Sequence, residues 1–161
     1  MKLLILNGPN LNLLGSREPD IYGLESYDVL CQQIYRHAET IGCAVEVFQS
    51  NHEGTLIDAI QAAQAGYSGI VINPGAYAHY SYAIYDALRA ADVPAVEVHI
   101  SDITAREPFR AVSVTAAACV KTICGHGLMG YLEAMDYLMA TASDRSDSAA
   151  PHAGCGGAAC V

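Results

Sequence analysis

Charged residues are scarce in this chain of 161 residues. They make up 16% of the sequence, whereas hydrophobic residues make up 52%, and globular domains average about 25% charged residues. A monomer of this composition would have few charges with which to cover its surface. The composition therefore predicts a homo-oligomer, and the length fits a single domain of about 100 to 200 residues.

The few charges are mostly negative. There are 8 Lys and Arg residues against 17 Asp and Glu residues, which gives a formal net charge of -9 at pH 7. Nucleic acids and anionic membrane surfaces attract basic proteins, so neither is expected as a partner. An anionic small molecule would need a local pocket of Arg and His that works against the net field.

Long apolar runs are also absent. Gly, Pro or a charge interrupts each apolar stretch well before the roughly 20 residues of a membrane span. The apolar run at the start of the chain ends at Asn7 without a small-residue cleavage site, which argues against a secretory signal. The six cysteines show no paired spacing and are expected to be reduced thiols. These features predict a cytoplasmic protein that does not bind membranes.

Several enzyme motifs are missing as well. The patterns H-E-x-x-H, Walker A and G-x-S-x-G do not occur. Residues 125–130 have the form G-x-G-x-x-G, but no second βαβ unit follows them, so a tight turn and close helix packing explain these glycines better than a dinucleotide. His152, Cys155 and Cys160 lack a fourth ligand and a rigid frame, which argues against a zinc site. The sequence predicts neither a metal nor a cofactor.

What the chain does have is a regular alternation of short strands and amphipathic helices. Apolar residues recur at helical spacing in four segments, which begin near Leu30, Leu56, Ile84 and Leu132. The apolar face of the last segment is predicted to consist of Leu132, Met135, Leu138 and Met139. The order predicts a flavodoxin-like α/β fold with a doubly wound, five-stranded parallel sheet and helices on both faces. The five strands are predicted at residues 2–7, 45–49, 69–73, 95–100 and 119–124.

Two segments lie outside this alternation. Residues 9–25 form a first connection of roughly 17 residues, a length typical of active-site lids, and they include Arg17 and Tyr22. From Thr141 onward the sequence is rich in Ser, Ala and Gly without periodicity. We therefore predict a folded domain at 1–140 and a disordered tail at 141–161.

Polar residues follow the predicted strands at the edge where ligands bind in such sheets. Asn7 ends the first strand and Asn10 follows it, Asn73 ends the third, and Glu97 and His99 lie near the end of the fourth. A carboxylate two residues from a histidine on one strand can orient the imidazole as a general acid, although a buried histidine with an ordinary structural partner remains an alternative. Asparagines, a histidine and a carboxylate should thus converge on one edge of the sheet.

Tyr22 is a second candidate for acid–base chemistry. A tyrosine is a poor base at neutral pH unless a nearby cation favours the phenolate, and Arg17 on the same connection could supply that charge. The chain has 10 tyrosines, so an ordinary loop aromatic is also a reasonable interpretation of Tyr22.

Several sequence blocks together closely resemble the type II 3-dehydroquinate dehydratases. The resemblance runs from the start of the chain to about Met139 and is carried by long, specific motifs. These are GPNLNLLGSREPDIYG at 8–23, FQSNHEG at 48–54, NPGAYAH at 73–79, VEVHIS at 96–101, AREPFR at 105–110 and GHGLMGY at 125–131.

The resemblance implies trans-dehydration of 3-dehydroquinate to 3-dehydroshikimate through an enolate, without a metal or a covalent imine. It implies that Tyr22, helped by Arg17, removes the C2 proton as a phenolate. His99, oriented by Glu97, would protonate the departing hydroxyl, and Asn10 would hold the water that stabilises the enolate oxygen.

The resemblance also implies how the substrate is bound and how the chains assemble. Its hydroxyls and carboxylate would contact side chains on the loops and backbone groups after the fourth strand: Asn73, His79, Arg110, Ile100 and Ser101. Asp86 matches a residue that the family lends across a subunit interface, and family members form trimers that assemble into dodecamers. Either aromatic biosynthesis or quinate breakdown could use this reaction.

The sequence departs from the family pattern at a few positions near these motifs. Ala78 and Tyr80 replace the usual Thr residues, Tyr85 replaces an Arg, and Asp102 replaces an Asn. Two other interpretations therefore stay open: a catalytically inactive or substrate-shifted structural paralogue, and a flavodoxin-like module that binds a ligand without chemistry.

Overall fold

A five-stranded parallel sheet forms the centre of the molecule. The computed structural model describes residues 1–15, 25–105 and 107–148, and the strands of its sheet lie in the order β2-β1-β3-β4-β5. The predicted flavodoxin-like fold class is confirmed. The strands are β1 (Lys2–Asn7), β2 (Ala44–Gln49), β3 (Gly69–Asn73), β4 (Ala95–His99) and β5 (Lys121–Cys124).

In the described part of the chain, four α-helices cover the two faces of this sheet, and several of the loops contain 3-10 turns. The first and last helices pack on one face with Leu3, Ile5 and Val98, and the two middle helices pack on the other with Leu4 and Ile72. This alternation produces two apolar layers around the sheet. The helices are α1 (Tyr27–Thr40), α2 (Glu53–Ala62), α3 (Tyr82–Ala90) and α4 (Met129–Ser148).

The predicted and observed boundaries coincide for β1 and β3, whereas β4 ends at His99 rather than at Ile100 and β2 begins at Ala44 rather than at Val45. Every residue of β3 and β4 is buried, because both faces of these strands are covered by helices, and such strands read as continuous apolar runs. The edge strand β5 begins at Lys121 rather than at Cys119. An alanine-rich 3-10 helix, Thr115–Ala118, precedes it and delays the start of the strand.

Hydroxyl caps fix where two helices begin. The Oγ atom of Ser26 accepts a hydrogen bond from the Val29 amide at the start of α1, and Ser81 does the same for the Ile84 amide at the start of α3. Both helices therefore begin directly after a loop that borders the sheet edge carrying the strand ends.

Helix α4 differs from the prediction in its length and in its buried face. It continues through Ser148, so residues 141–148, which we expected to belong to a disordered tail, are helical. Residues 149–161 lie outside the described part of the chain. The face of α4 that contacts the sheet consists of Tyr131, Ala134, Met135 and Leu138, whereas Leu132 and Met139 are only partly buried.

The ends of β1 and β3 approach each other closely. The Gly8 amide donates to the Asn73 carbonyl over 2.7 Å. A Cβ atom at Gly8 would lie 2.3 Å from the Pro74 carbonyl oxygen, closer than any side chain could tolerate. Glycine is therefore required at this position for the two strand ends to meet.

Candidate active site

An open pocket lies at the carboxyl ends of β1, β3 and β4. This is the edge at which open parallel sheets bind ligands. Most of the side chains and backbone groups predicted to bind substrate or act on it line this one pocket: Asn10, Asn73, His79, His99, Ile100, Ser101 and Arg110.

The Glu97–His99 pair forms one wall of the pocket. Both residues lie on β4, and because they are two positions apart their side chains share a face of the strand. The Nε2 atom of His99 lies 2.7 Å from Oε1 of Glu97. Glu97 is fully buried behind His99, whose side chain is 6% exposed at the pocket surface. One ring nitrogen is thus held by the carboxylate, and the other is the one that can serve a ligand.

Two hydroxyl groups that the sequence reasoning missed also contact Glu97. Ser113 Oγ donates to Glu97 Oε1 over 2.6 Å, and Thr115 Oγ1 donates to Glu97 Oε2 over 2.5 Å. Both oxygens of the buried carboxylate therefore have partners. The sequence signal for such donors is Glu97 itself, because a carboxylate within an apolar strand requires hydrogen-bond donors from elsewhere.

Asn73 is held by a separate, neutral network behind the pocket. Its Nδ2 atom donates to the Tyr131 hydroxyl over 3.0 Å, and its Oδ1 atom accepts from the Gly75 amide over 3.1 Å. The Tyr131 hydroxyl in turn donates to Asn7 Oδ1 over 2.7 Å. Burial raises the pKa of Tyr131 far above its ordinary value, so its phenol stays neutral. The sequence reasoning had left Tyr131 without a role.

Asn10 sits in the turn that follows β1. Its backbone adopts a left-handed conformation with a φ of 67°, which asparagine tolerates better than most residues. Its amide donates to Asn51 Oδ1 over 2.9 Å. Gln49 Nε2 donates to the same oxygen over 3.1 Å. The turn is therefore fastened to the loop after β2, and Asn10 is fixed at the pocket edge.

His79 and Arg110 come from the loops on the opposite side of the pocket. The Nδ1 atom of His79 lies 2.9 Å from the Val112 carbonyl oxygen, which leaves Nε2 for a ligand. The Nε atom of Arg110 lies 3.1 Å from Oε2 of Glu107, but the geometry is not that of a hydrogen bond, and Nε is buried without one. The two side chains form an ion pair, and Arg110 lines the pocket with a cation of the kind that binds carboxylates.

One predicted site residue that the structure describes, Asp86, lies away from this pocket. It is exposed on α3. Arg17 and Tyr22 lie outside the described residues. The residues that flank their segment are close neighbours, because a Cβ atom at Gly15 would lie 3.0 Å from the Ser26 Cα atom. Leu13 and Leu14, just before Gly15, line the pocket.

The glycines of the G-x-G-x-x-G pattern serve the turn between β5 and α4. Gly125 and Gly127 have φ angles of 79° and 57°, values that favour glycine. A Cβ atom at Gly130 would lie 3.3 Å from Val98 and from Ile123, so this glycine allows the helix to pack closely on the sheet. This geometry confirms the prediction of a tight turn and close packing.

Two other histidines pair with carboxylates at the surface and not at the pocket. His37 pairs with Asp136 at 2.6 Å, and His126 pairs with Glu133 at 2.9 Å. Within residues 1–15, 25–105 and 107–148, no group of three or more His, Cys, Asp and Glu side chains could hold a metal ion. The same part of the chain contains no helix long and apolar enough to cross a membrane.

Comparison with known proteins identifies the family. The model of the family described as Dehydroquinase class II matches residues 1–139. The chain is 55% identical to a 3-dehydroquinate dehydratase of Clostridium acetobutylicum over 132 residues, which cover 82% of this chain and 92% of that protein. It is 52% identical to the 3-dehydroquinate dehydratase of Thermotoga neapolitana over 146 residues, covering 91% of this chain and 99% of that protein.

Solved structures lead to the same result. The type II dehydroquinase of Butyrivibrio crossotus is 53% identical and superposes with a TM-score of 0.85 over 86% of this chain and 97% of that one. A 3-dehydroquinate dehydratase-like protein of Bifidobacterium longum is 30% identical, with a TM-score of 0.66 over 88% of this chain and 98% of that one. With its sequence motifs, its sheet order and these relatives in agreement, this chain belongs to the class II dehydroquinases.

Proposed function

We propose that this chain dehydrates 3-dehydroquinate to 3-dehydroshikimate in the pocket at the carboxyl ends of β1, β3 and β4. Membership of the class II dehydroquinases makes the chain a hydro-lyase. The single observation that carries the assignment to this pocket is the Glu97–His99 pair, a buried carboxylate bonded to a histidine at the pocket wall. Such a pair is suited to deliver a proton to a leaving hydroxyl.

The proposed elimination has two steps. Tyr22, as a phenolate favoured by the Arg17 cation, removes a proton from the carbon beside the ketone, and the electron pair of the broken C–H bond moves onto the ketone oxygen. The resulting enolate then expels the hydroxyl from the neighbouring carbon. His99 gives its proton to that hydroxyl, so water leaves and a conjugated enone forms.

Binding groups around the pocket would hold the substrate for these steps. Asn10 would position the water that stabilises the enolate oxygen, since preorganised donors are most effective where charge develops. The substrate hydroxyls and carboxylate would be bound by Asn73, His79, Arg110 and the backbone of Ile100 and Ser101. In support, the neutral network fixes Asn73, and the contact with Val112 fixes His79.

Asp86 would complete the pocket of a neighbouring copy rather than its own. It is exposed on α3 and lies outside the pocket of its own chain, which is what a residue lent across an interface requires. The low charge content of the chain also favours association. We propose trimers assembled into a dodecamer, a cytoplasmic location, and a catalytic domain at 1–140 followed by a C-terminal extension at 141–161.

An ultraviolet assay with 3-dehydroquinate tests the activity, because the conjugated enone of the product absorbs and the substrate does not. A parallel sample is pretreated with substrate and borohydride, which would trap an imine. Product formed equally in both samples supports the proposed mechanism. A correctly assembled oligomer that forms no product would instead favour an inactive or substrate-shifted paralogue.

The base assignment is tested by Tyr22→Phe. We expect kcat to fall at least about 100-fold, since a positioned base contributes roughly 10²–10⁴-fold, while the assembly measured by size-exclusion chromatography stays unchanged. Tyr35→Phe, at an exposed tyrosine on α1, is the matched control and should keep full activity. A Tyr22→Phe protein as active as wild type would remove Tyr22 from the mechanism.

A further inference from the structure

We propose that Ser113 and Thr115 are positioning residues that orient Glu97 and, through it, His99 for proton transfer. This inference rests on the proposed function, in which His99 protonates the leaving hydroxyl. Neither hydroxyl lines the pocket, so each would act through Glu97 and not on the substrate.

The carboxylate of Glu97 depends on these two hydroxyls. It is fully buried, and a buried carboxylate is strongly disfavoured unless donors replace the water that it loses. Oε1 is 2.7 Å from His99 Nε2 and 2.6 Å from Ser113 Oγ, and Oε2 is 2.5 Å from Thr115 Oγ1. The two hydroxyls thus supply donors to both oxygens of the carboxylate that holds His99.

The two contacts also set the direction of the carboxylate. A carboxylate held at one oxygen can turn about its terminal bond, since that torsion is broad. Contacts at both oxygens remove this freedom, so Oε1 stays aimed at His99. The imidazole ring is then held at a defined angle at the pocket wall, where a small misplacement of a proton donor lowers the rate.

The hydroxyls themselves are held by backbone contacts of the segment that carries them. The Val114 amide donates to the Ala78 carbonyl over 2.7 Å, which joins this segment to the loop after β3. Ser113 Oγ also accepts from the Ala116 amide over 3.2 Å, at the start of the short 3-10 helix. Thr115 is completely buried. The donors are thus fixed before a substrate arrives, as preorganisation requires.

A purely structural role is the competing explanation, because any buried carboxylate needs partners. The two roles differ in what they affect. Loss of a merely structural contact lowers the amount or stability of folded protein, whereas loss of orientation lowers kcat in protein that is fully folded. The chain offers an isosteric change for this test, Thr115→Val, which removes the hydroxyl and keeps the shape.

Steady-state kinetics with 3-dehydroquinate should separate the roles. We expect Thr115→Val and Ser113→Ala each to lower kcat roughly tenfold, part of the contribution of a positioned acid, with KM changed less than about twofold. Thr115→Ser restores a hydroxyl and should keep kcat within about twofold of wild type. Thr141→Val is the matched control: its hydroxyl donates to the Tyr137 carbonyl over 3.0 Å, and its loss should leave kcat unchanged.

Two results would overturn the positioning role. One is an unchanged kcat in folded Thr115→Val and Ser113→Ala proteins. The other is an equal loss of kcat in Thr115→Val and Thr115→Ser, because the hydroxyl would then not be what matters. Should Thr115→Val fail to fold, Ser113→Ala decides the question alone, since Ser113 is only partly buried and contacts the same carboxylate.

Crystal structures of the wild type and Thr115→Val provide a readout that does not need turnover. Rotation of the Glu97 carboxylate, with displacement of the His99 ring, supports the inference, and unmoved side chains would contradict it. An inactive wild-type protein would count against the proposed function, and these structures would still decide whether Thr115 orients the Glu97–His99 pair.

Discussion

Two buried polar networks border the pocket, and they differ in charge. The first joins His99, Glu97, Ser113 and Thr115 around a carboxylate at the end of β4. The second joins Asn7, Tyr131 and Asn73 across the ends of β1 and β3 through amides and phenols, and Asn7 Nδ2 also donates to the Tyr27 hydroxyl. Each takes a strand-end side chain and fixes it with hydroxyl groups from a distant part of the chain.

Because of this difference in charge, the two networks are suited to different roles in the site. In the charged network a proton can move, because a histidine that lines the pocket is bonded to a carboxylate. In the neutral network no proton moves near neutral pH, since burial raises the pKa of Tyr131 far above its usual range. The charged network is thus suited to chemistry and the neutral network to holding the shape of the binding surface.

The largest effect is expected from removing the charge with Glu97→Gln. The glutamine has one acceptor oxygen in place of two, and its amide would meet the hydroxyl donors with hydrogens of its own. We expect kcat to fall about 100-fold, within the roughly 10²–10⁴-fold range of a general acid, with little change in KM. The enone assay under saturating 3-dehydroquinate measures it.

A matched control for Glu97→Gln is Glu133→Gln. Glu133 also contacts a histidine, His126, at 2.9 Å, but both side chains are about half exposed. Its kcat should stay within about twofold of wild type. Comparable losses in the two variants would mean that the effect reflects net charge rather than the buried pair.

The neutral network should respond to Tyr131→Phe mainly through stability. The change leaves Asn73 Nδ2 and Asn7 Oδ1 without the hydroxyl that they share, and an unsatisfied buried polar group costs about 1–3 kcal/mol. We expect the free energy of unfolding, measured in urea at fixed protein concentration, to fall by about 2 kcal/mol. KM should rise because Asn73 loses its fixed orientation, while kcat falls less than about tenfold.

Tyr137→Phe tests whether the losses of stability and substrate binding are specific to Tyr131. Tyr137 lies on the same helix, and Lys121 Nζ is 4.7 Å from its ring, an interaction that phenylalanine preserves. This variant should have wild-type stability and kinetics. A Tyr131→Phe protein with the same kcat loss as Glu97→Gln would contradict the division of work between the networks.

The smallest expected effect is on the alkaline side of the stability profile. Tyr131 in the unfolded chain ionises near its ordinary pKa of 10.0, whereas burial keeps it protonated in the folded state. Above pH 10 the unfolded state therefore binds fewer protons, so the free energy of unfolding falls as pH rises, by at most about 1.4 kcal/mol per pH unit for this group. Below pH 9 the group contributes no slope.

Urea unfolding of wild type and Tyr131→Phe at pH 8, 9, 10 and 11 measures this slope. The variant should lose stability less steeply between pH 10 and 11, although Tyr27, whose pKa burial also raises, still contributes in both proteins. Equal slopes of stability against pH in the two proteins would contradict this prediction, because Tyr131 would then ionise as easily in the folded state as in the unfolded state.

Sequence reasoning predicted the sheet well and one helix face poorly, for a physical reason. A strand buried on both faces is apolar along most of its length, so the short apolar runs at β1 and β3 indicated buried strands. Helix α4 has apolar residues on adjoining faces, and periodicity cannot choose between them. The face around Tyr131 is the buried one, and burial there lets the Tyr131 hydroxyl form hydrogen bonds with Asn7 and Asn73. Tyr131 and Asn7 are 124 residues apart in the sequence.

Some residues of the site were likewise predictable from the sequence and others were not. The strand-end residues were predictable because the carboxyl ends of parallel strands meet at one edge. Ser113 and Thr115 lie in an irregular segment whose path depends on contacts such as the one between Val114 and Ala78, and no local pattern encodes it. The roles of Arg17 and Tyr22 rested on the first connection together with the family resemblance, and that of Asp86 on the resemblance alone. All three stay predictions.

The close approach of Gly8 to Pro74 has a consequence for how the chain tolerates mutation. Gly54 and Gly66 have nothing within 4 Å of a Cβ atom and lie in conformations open to other residues. In a library of single substitutions selected for activity, these two positions should accept many side chains. Gly8 should accept none, although Gly8 and Gly54 both lie in motifs shared with the family and the sequence alone does not separate them.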